Sequence, residues 1–113
     1  MQTEPDILSL TRDGPTLRLQ LRVPESLQQF RGHFENFPLL PGVTQIDWAI
    51  RIARQHFELP PNFKRLAALK FMRVTRPSDT LELTLSHNGA GELSFRYSAG
   101  DAACASGRVL FGH

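Results

Sequence analysis

The chain has little cysteine, no long apolar run and no strong excess of either charge. Its 113 residues include one cysteine, Cys104, so an intramolecular disulfide cannot form and no cysteine cluster can bind zinc. No run of about 18 apolar residues occurs, which excludes an ordinary transmembrane helix. Thirteen basic and 11 acidic residues give a net charge of +2, which is too small to indicate nucleic acid as a partner.

The length and composition are those of a small globular protein. The chain is 41% hydrophobic and 21% charged, which is ordinary for a folded domain, and its length predicts one domain spanning residues 1–113. A domain of this size buries only about two-thirds of the surface of its unfolded chain, so a second subunit would add stability. The N-terminal residues lack the basic and apolar segments of a secretory signal peptide, and the expected location is therefore the cytoplasm.

A helical pattern occupies the middle of the chain. Apolar residues recur at three- and four-residue steps, at Val43, Ile46, Ile50, Ala53 and Phe57. This spacing predicts one long helix at about 43–57, with the apolar stripe facing the core. Two prolines at positions 60 and 61 are consistent with its end.

Patterns typical of strands lie on both sides of this helix. Residues 16–23 alternate apolar and polar side chains, as expected for a half-buried strand. After the helix, turn-forming segments separate further predicted strands at residues 64–75, 80–86, 92–98 and 102–111. We therefore predict an α+β domain in which a sequential antiparallel meander packs on one central helix.

Residues 30–42, FRGHFENFPLLPG, combine three phenylalanines with prolines, glycines and one histidine. Pro38 and Pro41 disfavour a continuous helix, so we predict an ordered loop whose aromatic side chains point inward. His33 lies within this apolar loop. Burial favours the neutral form of an imidazole, which is the form that accepts a proton.

Two residues near the start of the predicted helix are further candidates. Gly42 immediately precedes the helix, where backbone N–H groups lack intrahelical partners and can bind an oxyanion. Asp47 borders the apolar stripe, where an unpaired carboxylate is costly, so the acid form needed for proton donation would be favoured. Each candidate also has a simpler explanation: a turn at Gly42, an i,i+4 ion pair of Asp47 with Arg51, and a structural hydrogen bond from His33. The residue pattern alone leaves both interpretations open.

The spacing of these residues resembles the signature of a known family. Residues 30–34 (FRGHF), 37–43 (FPLLPGV) and 46–47 (ID) resemble the motif G-H-F-P-x-x-P-x-x-P-G-[VC]-L-x-[IL]-[ED]-A of bacterial 3-hydroxyacyl-acyl-carrier-protein dehydratases. The histidine and the acid are fourteen positions apart both in the family and here, at His33 and Asp47. Residues 69–80 also resemble the family's later strand and its V-x-P-G-D-x-L turn, whereas Glu35 stands where the family often has proline.

This resemblance implies a hot-dog fold, in which a long antiparallel sheet wraps around the helix. It also implies an enzyme that dehydrates a (3R)-3-hydroxyacyl thioester to the trans-2-enoyl thioester. His33 would abstract the proton next to the carbonyl, the Gly42 N–H would bind the carbonyl oxygen, and Asp47 would protonate or orient the departing hydroxyl. The acyl chain would run along the helix against Phe34, Phe37, Val43, Ile46 and Ile50.

The resemblance also implies particular partners. Family members are usually dimers, so His33 would face Asp47 of a second subunit, either a copy of this chain or a related hot-dog subunit. Acyl carrier protein would bring the substrate on its phosphopantetheine arm, and no metal or dissociable cofactor is implied. Aspartate at position 47 is typical of the branch that also isomerises double bonds. The short form is most similar to the ApeI-like dehydratases of aryl-polyene and type II polyketide clusters, whose substrate would carry a conjugated or aryl-capped chain.

Two other functions remain open for the same fold. A hot-dog thioesterase would use a carboxylate and water to release the free acid, which the G-H-F…P-G motif disfavours. A non-catalytic subunit would bind acyl carrier protein beside an active homologue, although such subunits commonly lose one of the two residues kept here. Basic residues in the middle of the chain would form either a docking patch for an acidic carrier protein or a solvated face; they are Arg51, Arg54, Lys64, Arg65, Lys70, Arg73 and Arg76.

Overall fold

The structure, a computed structural model, describes residues 3–27 and 40–113. In these ranges the chain forms six strands and one helix: β1 (Asp6–Asp13), β2 (Thr16–Arg22), α1 (Gly42–His56), β3 (Asn62–Phe71), β4 (Thr80–His87), β5 (Glu92–Ala99) and β6 (Ala102–Gly112). The strands form one antiparallel sheet that packs on α1. The predicted α+β class is therefore confirmed. No helix in the described ranges is long and apolar enough to cross a membrane.

The order of the sheet differs from the predicted sequential meander. It is β1-β2-β4-β5-β6-β3, so β3 lies at one edge and pairs with β6 instead of β4. The reason is the leucine register: Leu17, Leu19 and Leu21 of β2 lie opposite the leucines of β4, and all of these side chains are fully buried. Because β2 and β5 occupy both sides of β4, the remaining place for β3 is the free side of β6.

The face of α1 that packs on the core is rotated from the predicted apolar stripe but shares Ala53 with it, and Phe57 at the helix end is buried too. Val43 is 73% exposed, and Ile46 and Ile50 are only partly buried at the margin of the core. The buried helix residues are instead Thr44, Gln45, Trp48, Ala49, Ile52 and Ala53. Trp48 is the reason for this rotation, because its large side chain is completely buried and donates its indole N–H to the carbonyl of Thr3 at 3.0 Å.

Two strand predictions need correction. β1 was not predicted, because a register shift between Ile7 and Ser9 breaks its alternation of apolar and polar side chains. The strand predicted at residues 64–75 runs from Asn62 to Phe71. Beyond Phe71 the chain leaves the sheet, since the carbonyl of Cys104 accepts the N–H groups of both Met72 and Arg73, at 2.8 and 3.1 Å.

Candidate active site

The first two backbone N–H groups of α1 are candidate donors for a ligand. Pro41 is the N-cap residue and makes no side-chain capping hydrogen bond. Its carbonyl accepts the N–H groups of Thr44 and Gln45, at 3.1 and 3.3 Å. The N–H groups of Gly42 and Val43 come before these and have no acceptor among the residues 3–27 and 40–113. They lie at the positive end of the helix dipole, where an anionic oxygen is stabilised.

A phenylalanine ring on β3 lies against the backbone of Gly42. A Cβ atom at Gly42 would lie 2.6 Å from Cζ of Phe71, closer than non-bonded carbon atoms can approach. The Phe71 ring therefore covers one side of the Gly42 backbone. It is still 48% exposed, so the ring and the two free N–H groups share one accessible surface.

A β-bulge in β3 directs Phe71 toward the helix. Ala67 lies opposite Arg108, whereas Lys70 lies opposite Ser106, so an extra residue is inserted between these pairs. Ala68 adopts a positive φ of 52° within the bulge. Without the extra residue, Lys70 instead of Phe71 would lie opposite the inward-facing Ala105, because successive side chains alternate between faces.

A backbone hydrogen bond also joins the segment that follows β3 to the segment that precedes α1. The N–H of Leu40 donates to the carbonyl of Thr75 at 2.8 Å, and both residues are buried. Five residues after Leu40, the Nε2 of Gln45 reaches back to the Leu40 carbonyl at 3.5 Å. These contacts fix the turn that leads into Gly42.

A buried tyrosine on β5 forms a hydrogen bond with the backbone of α1. The Tyr97 hydroxyl donates to the backbone carbonyl of Gln45 at 2.6 Å. Burial raises the pKa of Tyr97 above its ordinary value, and the negative charge of Asp47 raises it further. Two other buried atoms, Oε1 of Gln45 and Oγ1 of Thr75, have no partner among the described residues. Neither Tyr97 nor Gln45 stands out in the sequence; the one available signal is a tyrosine on the apolar side of the alternating pattern of residues 92–98.

Asp47 is not buried within the chain, contrary to the sequence-based expectation. Its side chain is 52% exposed, and its Oδ2 lies 2.9 Å from Nε of Arg51 in an i,i+4 ion pair. Nη1 of Arg51 also contacts Oε1 of Glu4 at 2.8 Å. The hydrogen bond and charge of Asp47 raise the pKa of Arg51. The i,i+4 ion pair with Arg51, one of the two interpretations that the residue pattern left open, is therefore present, and the side of α1 that faces the core is the Trp48 side.

The structure brings together part of the predicted site. Gly42, Val43, Ile46, Asp47 and Ile50 all lie on α1, and Val43 and Asp47 are exposed. The three remaining candidates are outside the described residues: His33, Phe34 and Phe37.

Most of the large exposed apolar side chains lie on or just after β3. β3 is exposed along almost its whole length, and the apolar residues concerned are Phe63, Leu66, Leu69, Phe71, Met72 and Val74. Such a surface at a sheet edge is typical of an interface with another chain. The basic residues Lys70, Arg73 and Arg76 are exposed beside it.

Comparison with known families gives a match over most of the chain. The sequence profile of the ApeI-like family, described as ApeI dehydratase, matches residues 9–108. A curated relative, the 3-hydroxyacyl-[acyl-carrier-protein] dehydratase FabZ of Natranaerobius thermophilus, is 34% identical over 92 residues. That alignment includes 72% of this chain, which spans only 65% of the length of the relative.

Solved structures show the same architecture. The dehydratase heterocomplex ApeI:P from Xenorhabdus doucetiae contains a chain that is 29% identical, with a TM-score of 0.86 and coverage of 95% of this chain and 96% of that one. An uncharacterized protein from Erwinia carotovora subsp. atroseptica is 32% identical, with a TM-score of 0.71 and 94% coverage of both chains. The sheet and helix described above therefore form a hot-dog fold, and the chain belongs to the ApeI-like dehydratase family.

Proposed function

We propose that this protein dehydrates a (3R)-3-hydroxyacyl thioester carried on acyl carrier protein, producing the trans-2-enoyl thioester. The observation that carries the proposal is the ApeI-like match over residues 9–108, a range that includes both His33 and Asp47 at the spacing of the dehydratase motif. The free N–H groups at the start of α1 support it, because they offer donors for the charge that develops on the thioester oxygen.

The proposed chemistry divides between three residues. His33 takes the proton from the carbon next to the thioester carbonyl, and the Gly42 N–H stabilises the negative charge on the carbonyl oxygen. Asp47 then protonates or orients the departing hydroxyl, which is a poor leaving group without such help. The guanidinium of Arg51 forms an ion pair with Oδ2 of Asp47. The substrate must therefore contact Oδ1 of Asp47 or displace Arg51.

We further propose that the complete site needs two subunits. Val43 and Asp47 are exposed on α1, and a second hot-dog subunit that covers the apolar surface of β3 would bring its own His33 toward Asp47. The subunit would be a copy of this chain or a related one. The similarity to a chain of the ApeI:P heterocomplex supports the second arrangement.

The proposed substrate arrives on an acidic carrier protein through its phosphopantetheine arm, and the reaction needs no metal or dissociable cofactor. The exposed side chains of Lys70, Arg73 and Arg76 would attract the carrier to the same side of the protein. The ApeI-like match favours a conjugated or aryl-capped acyl chain. Ile46 and Ile50, at the margin of the core, would line its path with Phe34, Phe37 and Val43.

The roles of the two titratable residues are tested by replacing them one at a time. With a 3-hydroxyacyl carrier protein as substrate, His33→Ala should abolish formation of the enoyl product, and Asp47→Asn should reduce kcat by about 100-fold or more, as for a positioned acid or base. His56→Ala and Asp101→Asn are matched controls, because His56 contacts the carbonyl of Ile52 and Asp101 lies in an exposed turn. Full activity in His33→Ala would contradict the proposed site.

Mixing the two inactive variants tests the two-subunit site. A mixed dimer of His33→Ala and Asp47→Asn chains contains one site with both residues intact, so refolding the variants together should restore part of the activity. No recovery, despite proven exchange of subunits, would contradict a site shared between subunits. Release of the free acid would instead indicate a thioesterase, and carrier binding without turnover would indicate a non-catalytic subunit.

A further inference from the structure

The face of the Phe71 ring lies directly against the Gly42 backbone. A Cβ atom at Gly42 would be 2.6 Å from Cζ, 2.9 Å from Cε1 and 3.0 Å from Cε2 of this ring. Nearly equal distances to both Cε atoms, only slightly longer than that to Cζ, are expected for a point above the flat face at Cζ. The α hydrogen that replaces a side chain in Gly42 therefore points into the ring face.

The surrounding chain fixes the ring in this position. The bulge at Ala68 places Phe71 opposite Ala105, on the helix-facing side of the sheet. Immediately after Phe71, the carbonyl of Cys104 holds the next two N–H groups. On the other side of the contact, the bond from the Leu40 N–H to the Thr75 carbonyl fixes the approach to Gly42.

We propose that Phe71 is a positioning residue, whose ring holds the Gly42 N–H in the orientation that receives the thioester oxygen. This inference rests on the proposed function. The ring touches the Gly42 backbone from the side and has no hydrogen-bonding group of its own, so it leaves the N–H free for a ligand.

The Phe71 ring and the Gly42 backbone pack directly against each other. Any side chain at position 42 would collide with Phe71, and removing the ring would leave the backbone at the start of α1 without its lateral support. The effects of substituting Gly42 and Phe71 should therefore not be additive, because removing the Phe71 ring relieves the collision that a side chain at position 42 creates.

Single substitutions of Phe71 test its effect on turnover. Phe71→Ala should lower kcat by about 10- to 100-fold, the cost of a small misplacement of a catalytic group, with little change in KM, and Phe71→Tyr should keep most of the activity because it retains the ring. Leu8→Ala is the control: Leu8 is an exposed apolar residue, at 56%, on the opposite edge strand β1, away from the β3 surface. It should leave kcat unchanged, and thermal unfolding of all variants checks that they are folded.

The double variant tests the contact itself. Gly42→Ala keeps the backbone N–H but forces it out of place against the Phe71 ring, so kcat should fall by about 100-fold, the cost of a misplaced catalytic group. Gly42→Ala/Phe71→Ala should then be about tenfold more active than Gly42→Ala, because the collision has gone. The α-proton resonance of Gly42 in the wild type should be shifted upfield by the ring current, and this shift should disappear in Phe71→Leu.

The outcomes distinguish this inference from the proposed function. If the wild-type protein dehydrates its substrate but Phe71→Ala retains full kcat and the double variant is no better than Gly42→Ala, the inference about Phe71 is wrong and the proposed function stands. If the wild-type protein performs no dehydration, the proposed function fails and the role of Phe71 in it fails too. Reduced kcat in Phe71→Ala with recovery in the double variant supports both.

Discussion

Tyr97, the only tyrosine of the chain, shows how one residue links the sheet to the candidate site. Its side chain is fully buried, and its hydroxyl donates to the carbonyl of Gln45 in the second turn of α1. Replacing it with phenylalanine removes this hydrogen bond but keeps the ring. The free energy of unfolding should fall by about 1 kcal/mol, measured by urea denaturation.

Tyr97 also predicts how stability depends on pH. Burial raises its pKa in the folded state, whereas in the unfolded chain the phenol ionises near pH 10. Above about pH 10 the unfolded chain therefore binds fewer protons than the folded one, and the free energy of unfolding must decrease as the pH rises. Tyrosinate absorbance, which reports this one residue, should appear only together with unfolding. Tyr97→Phe should lose stability less steeply over the same range, and tyrosinate absorbance in the folded protein would contradict this account.

At the scale of elements, the bulge in β3 decides which residue faces α1. Ala68 has a φ of 52°, a region that is unfavourable for any residue with a Cβ and natural for glycine. Ala68→Gly should therefore raise the free energy of unfolding by up to about 1 kcal/mol. Ala67→Gly, one position earlier in the paired part of the strand, should lower it by about 0.5–1 kcal/mol. Equal destabilisation by both changes in thermal denaturation would contradict a left-handed backbone at position 68.

The elements also show how far the sequence predicts the fold. The regular alternation of residues 16–23 and 80–86 located β2 and β4 nearly to the residue, and apolar spacing located α1. The same spacing gave the buried face of the helix only in part: Ala53 and Phe57 are buried, whereas Val43 is exposed and the Trp48 side was overlooked. Bulges in β1 and β3 interrupt the alternation of apolar and polar side chains. For this reason β1 was missed and the predicted limits of β3 were shifted.

The candidate site was predictable only in part for a related reason. The dehydratase motif singled out Gly42 and Asp47; Asp47 lies on α1, and Gly42, expected just before the helix, is its first residue. Motif spacing carries no information about the strand that crosses in front of the helix, so it could not indicate the contact of Phe71 with Gly42. Likewise, the burial expected for Asp47 assumed that its side of the helix faces the core.

At the scale of the whole molecule, the apolar side chains around β3 predict that the protein is an oligomer. Leu66 is 37% exposed on the helix-facing side of this edge strand, and a charge there would oppose burial against a second subunit. Leu66→Glu should give a folded protein of half the wild-type mass by light scattering. Leu8→Glu is the control, because Leu8 is 56% exposed on the opposite edge strand, β1, and should leave the mass unchanged. Dissociation by Leu8→Glu and not by Leu66→Glu would place the interface at β1 and contradict an interface at β3.

The measurement that tests the central claim most directly is the mass of an acyl carrier protein after incubation with this protein and any subunit that remains bound to it. For a carrier loaded with a (3R)-3-hydroxyacyl group, the account predicts the loss of one water from the intact carrier, with the thioester retained and the reaction absent in His33→Ala. A carrier that is bound but keeps its hydroxyacyl group unchanged, over several chain lengths and caps, would contradict the dehydratase assignment.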